Sequence, residues 1–337
     1  PVTALGTHPV TMRAWRIHEH GPAPEVLRLD EVDVPVPGPG EVLVRVEAAA
    51  LNFPDLLLAT GQYQERPPLP FTPGLEIAGE VVAAGEGAQT RPGDRVLGAP
   101  TLPRGGLADF AVLPAGGAFG IPAGMTAEEA AALFITYQTA HVGLHRRAGL
   151  RPGETLLVHA GASGTGSAAV QLGKAAGARV IATAGGPEKT ALCLELGADA
   201  AIDYIAADLV TAVREATDGR GADVIWDPVG GDVFDASRRV VAFEGRIVVV
   251  GFAAGRIPAA PANHLLVKNY SVVGLHWGLY RRYEPAVVAA THTELCRLYA
   301  EGAVKPLIGS RRPLAEAPEA LADLAARRLV GKSVLIP

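Results

Sequence analysis

The hydrophobic rhythm of the chain changes twice. In the first third, short runs alternate or stay apolar between turn signals: MRAWRIHEHG, EVLRLDEVDV, EVLVRVEAAAL, EIAGEVVAAG, DRVLGAP and ADFAVLP, punctuated by PVPGPGE, RPGDR and PRGG. This predicts an irregular β-barrel or sandwich. Residues Thr126–Arg147 then place apolar side chains at helical spacing behind a Thr cap and an acidic first turn. From Glu154 onward strands and helices alternate. TLLVHA, ARVIATA, DAAIDY, ADVIWD, GRIVVVG and SVVGLH read as strands, with helices starting near Thr165, Pro187, Ala206 and Asp232. Such alternation predicts a doubly wound, six-stranded parallel sheet. After Trp277 the pattern predicts a helix in EPAVVAATHTELCRLYAEG, a second helical run in SRRPLAEAPEALADLAARR and a final strand, KSVLIP.

Length and composition narrow the classes. A chain of 337 residues exceeds what one core usually serves, so two domains are expected. Hydrophobic residues at 49% and charged residues at 19% suit a folded protein. With a net charge of −5 and no basic block, nucleic acid is not an expected partner. Two cysteines, Cys193 and Cys296, far apart in sequence, cannot supply a disulfide framework or a four-cysteine zinc site. The opening PVTALGTHPVT lacks the pattern of a secretory leader, and no apolar run is long enough to span a bilayer. The expected location is the cytoplasm, with no membrane partner.

The chemistry begins at VHAGASGTG. Helix N-termini present unpaired N–H groups and a partial positive charge, which attract phosphate. Ser163, Gly164, Thr165 and Gly166 form a small-residue turn directly after an apolar strand. An ordinary tight turn is the plainer reading, but the flanking strand, helix and second strand favour a dinucleotide. An Asp or Glu ending the second strand would select NAD; here the segment is Thr183-Ala184-Gly185-Gly186. Lys189 is within reach of a ribose phosphate and Tyr204 could add a hydroxyl, so NADPH is the expected cofactor. Gly251 and Phe252, ending the fifth strand, are expected beside the nicotinamide.

Taken together, these residues resemble the zinc-free branch of the medium-chain dehydrogenase/reductase superfamily, the NADPH:quinone oxidoreductase (zeta-crystallin-like) family. GETLLVHAGASGTGSAAVQLGK carries the closest likeness, and NFPDLLLATGQY, PGLEIAGEVVAAGEG, PGDRV, DPVGG and VGFAAG extend it over nearly the whole chain. Ser163 departs from the glycine usual in the family. The resemblance implies a GroES-like β-barrel catalytic domain over 1–130, completed by 277–337. It implies a Rossmann NADP-binding domain over 131–276, an active site in the cleft between them, and a homodimer joined through the SVVGLH edge strand.

Zinc-dependent relatives carry a Cys near the position of Asn52 and a Gly-His-Glu motif. Here the stretches read Leu51-Asn52-Phe53 and Gly74-Leu75-Glu76, and leucine cannot ligate a metal. No metal is expected. His141 and His145, four apart, read as a packed or solvated helical pair, and Cys193 as a buried structural thiol. The resemblance implies hydride delivery to a small-molecule quinone or α,β-unsaturated carbonyl. Tyr63 would donate to the substrate carbonyl and Asn52 would orient substrate or nicotinamide. Asp55 is expected to bond nearby backbone N–H groups. Thr136 would bond the nicotinamide amide, or else its own helix. A half-buried loop role is the competing reading of Tyr63. Two alternatives stay open: an enoyl-thioester reductase, for which Arg281 and Arg282 would be the basic patch, and a crystallin-like NADPH-binding protein with little turnover.

Overall fold

The structure is a computed structural model that describes residues 3–4 and 8–337; part of the opening PVTALGTHPVT lies outside the described residues. The chain divides into two compact units, Pro1–Ile135 with Pro306–Pro337, and Thr136–Lys305. The boundaries expected from sequence fall at 130/131 and 276/277. By contact, residues 277–305 belong with the second unit, because a helix there packs its apolar side within that unit: Gln138 Nε2 donates to Val288 O at 2.9 Å, and Trp277 Nε1 to Gln138 Oε1 at 3.4 Å.

The first unit is built on antiparallel ladders. Strand β1 (Glu41–Ala50) pairs with β2 (Glu76–Ala84), β2 with β3 (Arg95–Gly98), and β4 (Phe110–Pro114) with the other side of β1. Between β1 and β2 stands a short helix, α1 (Phe53–Ala59). Thr11–Ile17 and Leu27–Asp33 form a separate two-stranded ribbon. β1 and β2 are buried along most of their length, as their near-continuous apolar runs require. Helix α2 (Ala127–His141) follows. Thr126 Oγ1 accepts from Glu129 N and Glu129 Oε2 from Thr126 N, each at 3.2 Å, a reciprocal capping box.

The second unit holds the parallel sheet. Its strands are β5 (Thr155–Val158), β6 (Arg179–Ala184), β7 (Ala200–Asp203), β8 (Ala222–Asp227), β9 (Val241–Val249) and β10 (Ser271–Gly274). They lie in the order β7-β6-β5-β8-β9-β10, and every neighbouring pair is parallel. The order turns back at β5, which is the switch point of a doubly wound sheet. Its helices include α3 (Gly164–Ala175), α4 (Pro187–Glu195), α5 (Leu209–Ala216), α6 (Gly231–Val240), α7 (Ala262–Lys268) and α8 (Pro285–Ala300), with a short helix at Gly278–Tyr283 before the last. Both units are thus of the expected architectures.

The C-terminal run differs from its sequence reading. Residues Ile308–Pro313 form a strand, β11, pairing in parallel with β12 (Lys332–Ile336), and only Ala317–Ala325 is helical, as α9. Arg311, Arg312 and Pro313 lack the helical apolar spacing of α9, and Pro313 ends the strand before Leu314 starts a 3₁₀ turn. β12 also pairs antiparallel with β1, so the chain's last strand enters the first unit's sheet.

Candidate active site

In the second unit, the turn between β5 and α3 is the place where the sequence expects phosphate. Ser163 is the N-cap of α3, with φ −80° and ψ 174°, and its Oγ accepts from Gly166 N at 3.1 Å. This extended backbone suits any residue, so the family's glycine is not needed for geometry here, and the hydroxyl satisfies one first-turn N–H. The first-turn amides of Gly164 and Thr165 have no intrahelical acceptor by helix geometry, which makes them the donors available to an anion there. Gly166 is required for a different reason: a Cβ there would stand 1.9 Å from Ala160 O. Ala160 itself adopts φ 51°, an uncommon left-handed conformation for a residue with a side chain. The strand-to-helix turn is therefore held tight by backbone contact.

The end of β6 bears on cofactor choice. Tyr204 is half exposed, and its hydroxyl would lie 2.8 Å from a Cβ added at Gly185, so the glycine lets the phenol close against the loop. The carboxylate that reaches this loop, Asp203, is turned to backbone: its Oδ1 accepts from Gly186 N at 2.9 Å and Ile205 N at 3.0 Å. Those N–H groups hold the Asp203 carboxyl below the usual range. Lys189 stands half-buried in the first turn of α4. On the neighbouring strands, β9 ends at Val249, so Gly251 and Phe252 stand in the loop beyond it. Asp227 Oδ1 accepts from Val229 N and Gly230 N, and Ala253 N and Ala254 N donate to Pro228 O and Val229 O. These bonds clamp the DPVGG and GFAAG loops together at the carboxyl ends of β8 and β9. Thr136 is buried on α2, 2% exposed.

The sheet beneath contains a buried histidine that sequence alone does not single out. His159 Nε2 meets Ser237 Oγ at 2.8 Å and Nδ1 meets Thr183 Oγ1 at 3.0 Å. Ser237 spends its proton on Val233 O, so it accepts from His159, which assigns the proton to Nε2 and makes Nδ1 the acceptor. Burial lowers the His159 pKa and keeps the ring neutral. Cys193 is buried against Gly161, and burial pushes its thiol up to about 11, which suits the structural role.

In the first unit, Asn52, Asp55, Glu76 and Lys332 form one buried polar cluster. Lys332 Nζ donates to Leu51 O at 2.8 Å, to Asn52 Oδ1 at 2.7 Å and to Glu76 Oε1. Asn52 Nδ2 donates to Glu76 Oε1 at 2.9 Å, and Glu76 Oε2 accepts from Ile135 N at 2.7 Å. Exposures of 0% for Glu76, 4% for Lys332 and 7% for Asn52 leave water little part in it. The sequence expectation for Asn52 is that it orients substrate or nicotinamide directly. In the structure both ends of its amide bond within this cluster, Oδ1 to Lys332 and Nδ2 to Glu76. Asp55 does what the sequence suggests, accepting from Asn52 N at 2.8 Å and Gly74 N at 3.0 Å. Burial pushes its pKa up to about 6, against those N–H groups and Lys332. Tyr63 packs half-buried on the first unit's core, and burial, with Glu65 and Asp55, pushes its hydroxyl up to about 12. The phenol therefore stays protonated at neutral pH, fit to donate a hydrogen bond.

Leu75, beside this cluster, is no ligand, and the Lys332 ammonium supplies the positive charge that Glu76 faces. Among the described residues no three His, Cys, Asp or Glu side chains gather as a metal site. Among them, too, no helix is long and apolar enough to cross a membrane.

Comparison with known proteins agrees with this architecture. The alcohol dehydrogenase GroES-like domain family matches residues 38–132, and the zinc-binding dehydrogenase family matches residues 164–292. A quinone oxidoreductase-like protein 2 homolog from Nematostella vectensis is 42% identical over 301 residues, covering 88% of this chain and 82% of its own. The Escherichia coli quinone oxidoreductase complexed with NADPH superposes with a TM-score of 0.90 at 32% identity, covering 96% of this chain and all of its own. A mycobacterial protein complexed with NADPH does so with a TM-score of 0.90 at 34% identity, over 97% of this chain and all of its own. The two units and the small-residue turn define an oxidoreductase of the medium-chain dehydrogenase/reductase superfamily. Within it, the chain belongs to the zinc-free quinone oxidoreductase family.

Proposed function

We propose that this protein is an NADPH-dependent reductase of quinones or α,β-unsaturated carbonyls that works without a metal. The observation that carries the proposal is the capped, small-residue N-terminus of α3, paired with a β6 end whose nearby carboxylate is tied to backbone N–H groups. A first-turn amide site takes a diphosphate, and a β6 end that offers a lysine and a phenol takes the extra phosphate of NADPH better than a bare ribose. Ser163, Gly164, Thr165 and Gly166 hold the diphosphate, and Lys189 and Tyr204 the ribose phosphate. Gly251, Phe252 and Thr136 hold the nicotinamide end. Bound NADPH supplies the hydride.

The protein's own contribution is to bind the acceptor and stabilise the negative charge that develops on its oxygen. Tyr63 donates to that oxygen. A hydroxyl held protonated up to about pH 12 is a hydrogen-bond donor at working pH and a poor general base. Asn52, fixed by Glu76 and Lys332, holds the start of α1 in place behind it. The protein assembles as a homodimer through the edge strand β10, which sedimentation at graded concentration tests. The enoyl-thioester reading is less well supported, since it rests on the single pair Arg281 and Arg282.

The deciding experiment is NADPH and NADH oxidation with a quinone and a simple enone side by side, in wild type and Tyr63→Phe. Turnover with NADPH that falls in Tyr63→Phe supports the proposal. Tight NADPH binding with no acceptor ever reduced would leave a cofactor-holding protein and sink the reductase reading.

A further inference from the structure

At the opposite edge of the parallel sheet, where β8 and β9 begin, lies a recess of about 480 Å³. Its wall carries Arg214, Arg220, Arg239 and Lys268, with Val241 and Phe243 as its apolar part, and among the described residues no carboxylate lines it. Strand β8 is six residues long, which puts this edge roughly 17 Å from the carboxyl ends where the dinucleotide turn stands.

The four cations are unequally matched. Arg220 is paired with Asp223, at 2.8 Å from both of its guanidinium ends. Arg214, Arg239 and Lys268 form no ion pair among the described residues. Arg214 spends one donor on Arg239 O at 3.4 Å, and Lys268 Nζ one on Arg238 O at 2.9 Å. Each of these bonds pins a cationic head to the last turn of α6 and leaves its remaining donors unspent. Burial, and after it the neighbouring Arg214, lowers the Lys268 pKa. Phe243, 72% exposed, stands beside them with no core to fill.

Helix C-termini offer a simpler account, since α5, α6 and α7 all end here and a cation near a helix C-terminus is favourable. That account explains one cation per helix. It covers Arg214, Arg239 and Lys268, each in the last turn of its own helix, but it does not explain an exposed phenylalanine or a recess free of carboxylates. We propose that this recess is a second ligand site, separate from the dinucleotide turn, for a free small molecule bearing phosphate groups and an apolar portion laid on Phe243. Arginine and lysine donors held by carbonyl pins suit a multiply charged phosphate better than a lone carboxylate.

The test is calorimetric titration of inorganic pyrophosphate into the protein saturated with NADP⁺, repeated with Arg239→Gln and Lys268→Gln. The expected result is saturable binding to wild type that weakens about tenfold or more in each variant, while NADP⁺ affinity is unchanged. Arg239→Gln removes no hydrogen-bonded ion pair among the described residues, only a last-turn charge of α6 that also acts on Asp208, so it should stay folded, and it locates the binding whatever occupies the dinucleotide turn. No saturable binding to the loaded wild type, or binding untouched by Arg239→Gln, would overturn the proposal. So would binding confined to vesicles containing phosphatidic acid with free pyrophosphate ignored, which would make the recess a membrane contact. Loss of thermal stability in Lys268→Gln with no wild-type binding would return the cations to helix capping alone.

Discussion

Lys332 Nζ lies 2.7 Å from Asn52 Oδ1, and it reaches Glu76 from the same position. A lysine from the last strand thereby fixes an asparagine at the start of α1. Removing one partner of a buried pair leaves the other charge without compensation, which typically costs about 3–5 kcal/mol, whereas removing both costs less. Lys332→Met is expected to destabilise the protein by about that amount in urea unfolding, and Lys332→Met with Glu76→Leu by clearly less. Equal losses would show that the pair is not coupled.

Tyr63→Phe removes only the hydroxyl. The expected outcome is a kcat/KM lower by about ten- to a hundredfold with NADPH affinity unchanged, the scale of one lost hydrogen bond to a developing oxyanion. Since burial holds the phenol at about 12, wild-type activity should show no loss from Tyr63 ionisation between pH 7 and 10. A steep alkaline limb in that range, absent in Tyr63→Phe, would contradict the assignment.

Stability should respond to pH through two groups of opposite sign. His141, lowered to about 4 by burial and then by His145, is neutral when folded. The unfolded chain binds the extra proton below about 6.5. Its contribution is therefore complete above that pH and lost as pH falls toward 4. Asp55, raised to about 6 by burial, works the other way: the folded state keeps the proton longer, so stability falls as pH rises from about 4 to 6. Urea midpoints across this window should lose their acid-side decline in His141→Gln, and Asp55→Asn should lose the fall between pH 4 and 6 while being less stable at every pH, because its amide nitrogen cannot accept from Asn52 N or Gly74 N. Unchanged slopes in both variants would remove both groups from the account.

Gly166→Ala tests the dinucleotide turn by geometry. A methyl group 1.9 Å from Ala160 O must push the turn apart, an overpacking cost of about 1–3 kcal/mol. NADPH affinity should fall together with stability. A variant that binds NADPH normally would show that the turn does not hold the diphosphate.

Lys189→Ala addresses cofactor choice. Loss of one charge-assisted contact to phosphate is expected to weaken NADPH by roughly 1.5–3 kcal/mol and to leave NADH nearly untouched. Equal losses for both, in fluorescence titrations, would take Lys189 out of the phosphate site.

Much of this architecture is legible in the sequence because period and punctuation agree in the second unit. α4 starts at Pro187 as expected, α3 begins one residue before the expected Thr165, and SVVGLH is the edge strand. The first unit is legible only as strands, since which of them pair depends on contacts far apart in sequence. The Asn52–Glu76–Lys332 cluster escapes notice for that reason: 280 residues separate Lys332 from Asn52. One signal does exist, a lysine opening the otherwise apolar KSVLIP strand, where a buried charge needs a partner. His159 escapes because it sits inside TLLVHA, where it looks like a strand residue and its partners Thr183 and Ser237 come from other elements. Ser163 shows the reverse: a departure from the family motif becomes intelligible once its backbone is known to be extended and its hydroxyl to cap the helix.

The position of β12 also sets an order of assembly. The second unit, Thr136–Lys305, is continuous in sequence, so it can close while the rest of the chain is still being made. The first unit has to wait for residues 306–337, because until Lys332 arrives Glu76 has no counter-charge and β1 has an open edge next to Ala49 and Ala50. During synthesis the second unit can thus be finished while the first unit's sheet is not, and a strand made after the whole second unit closes the structure begun first.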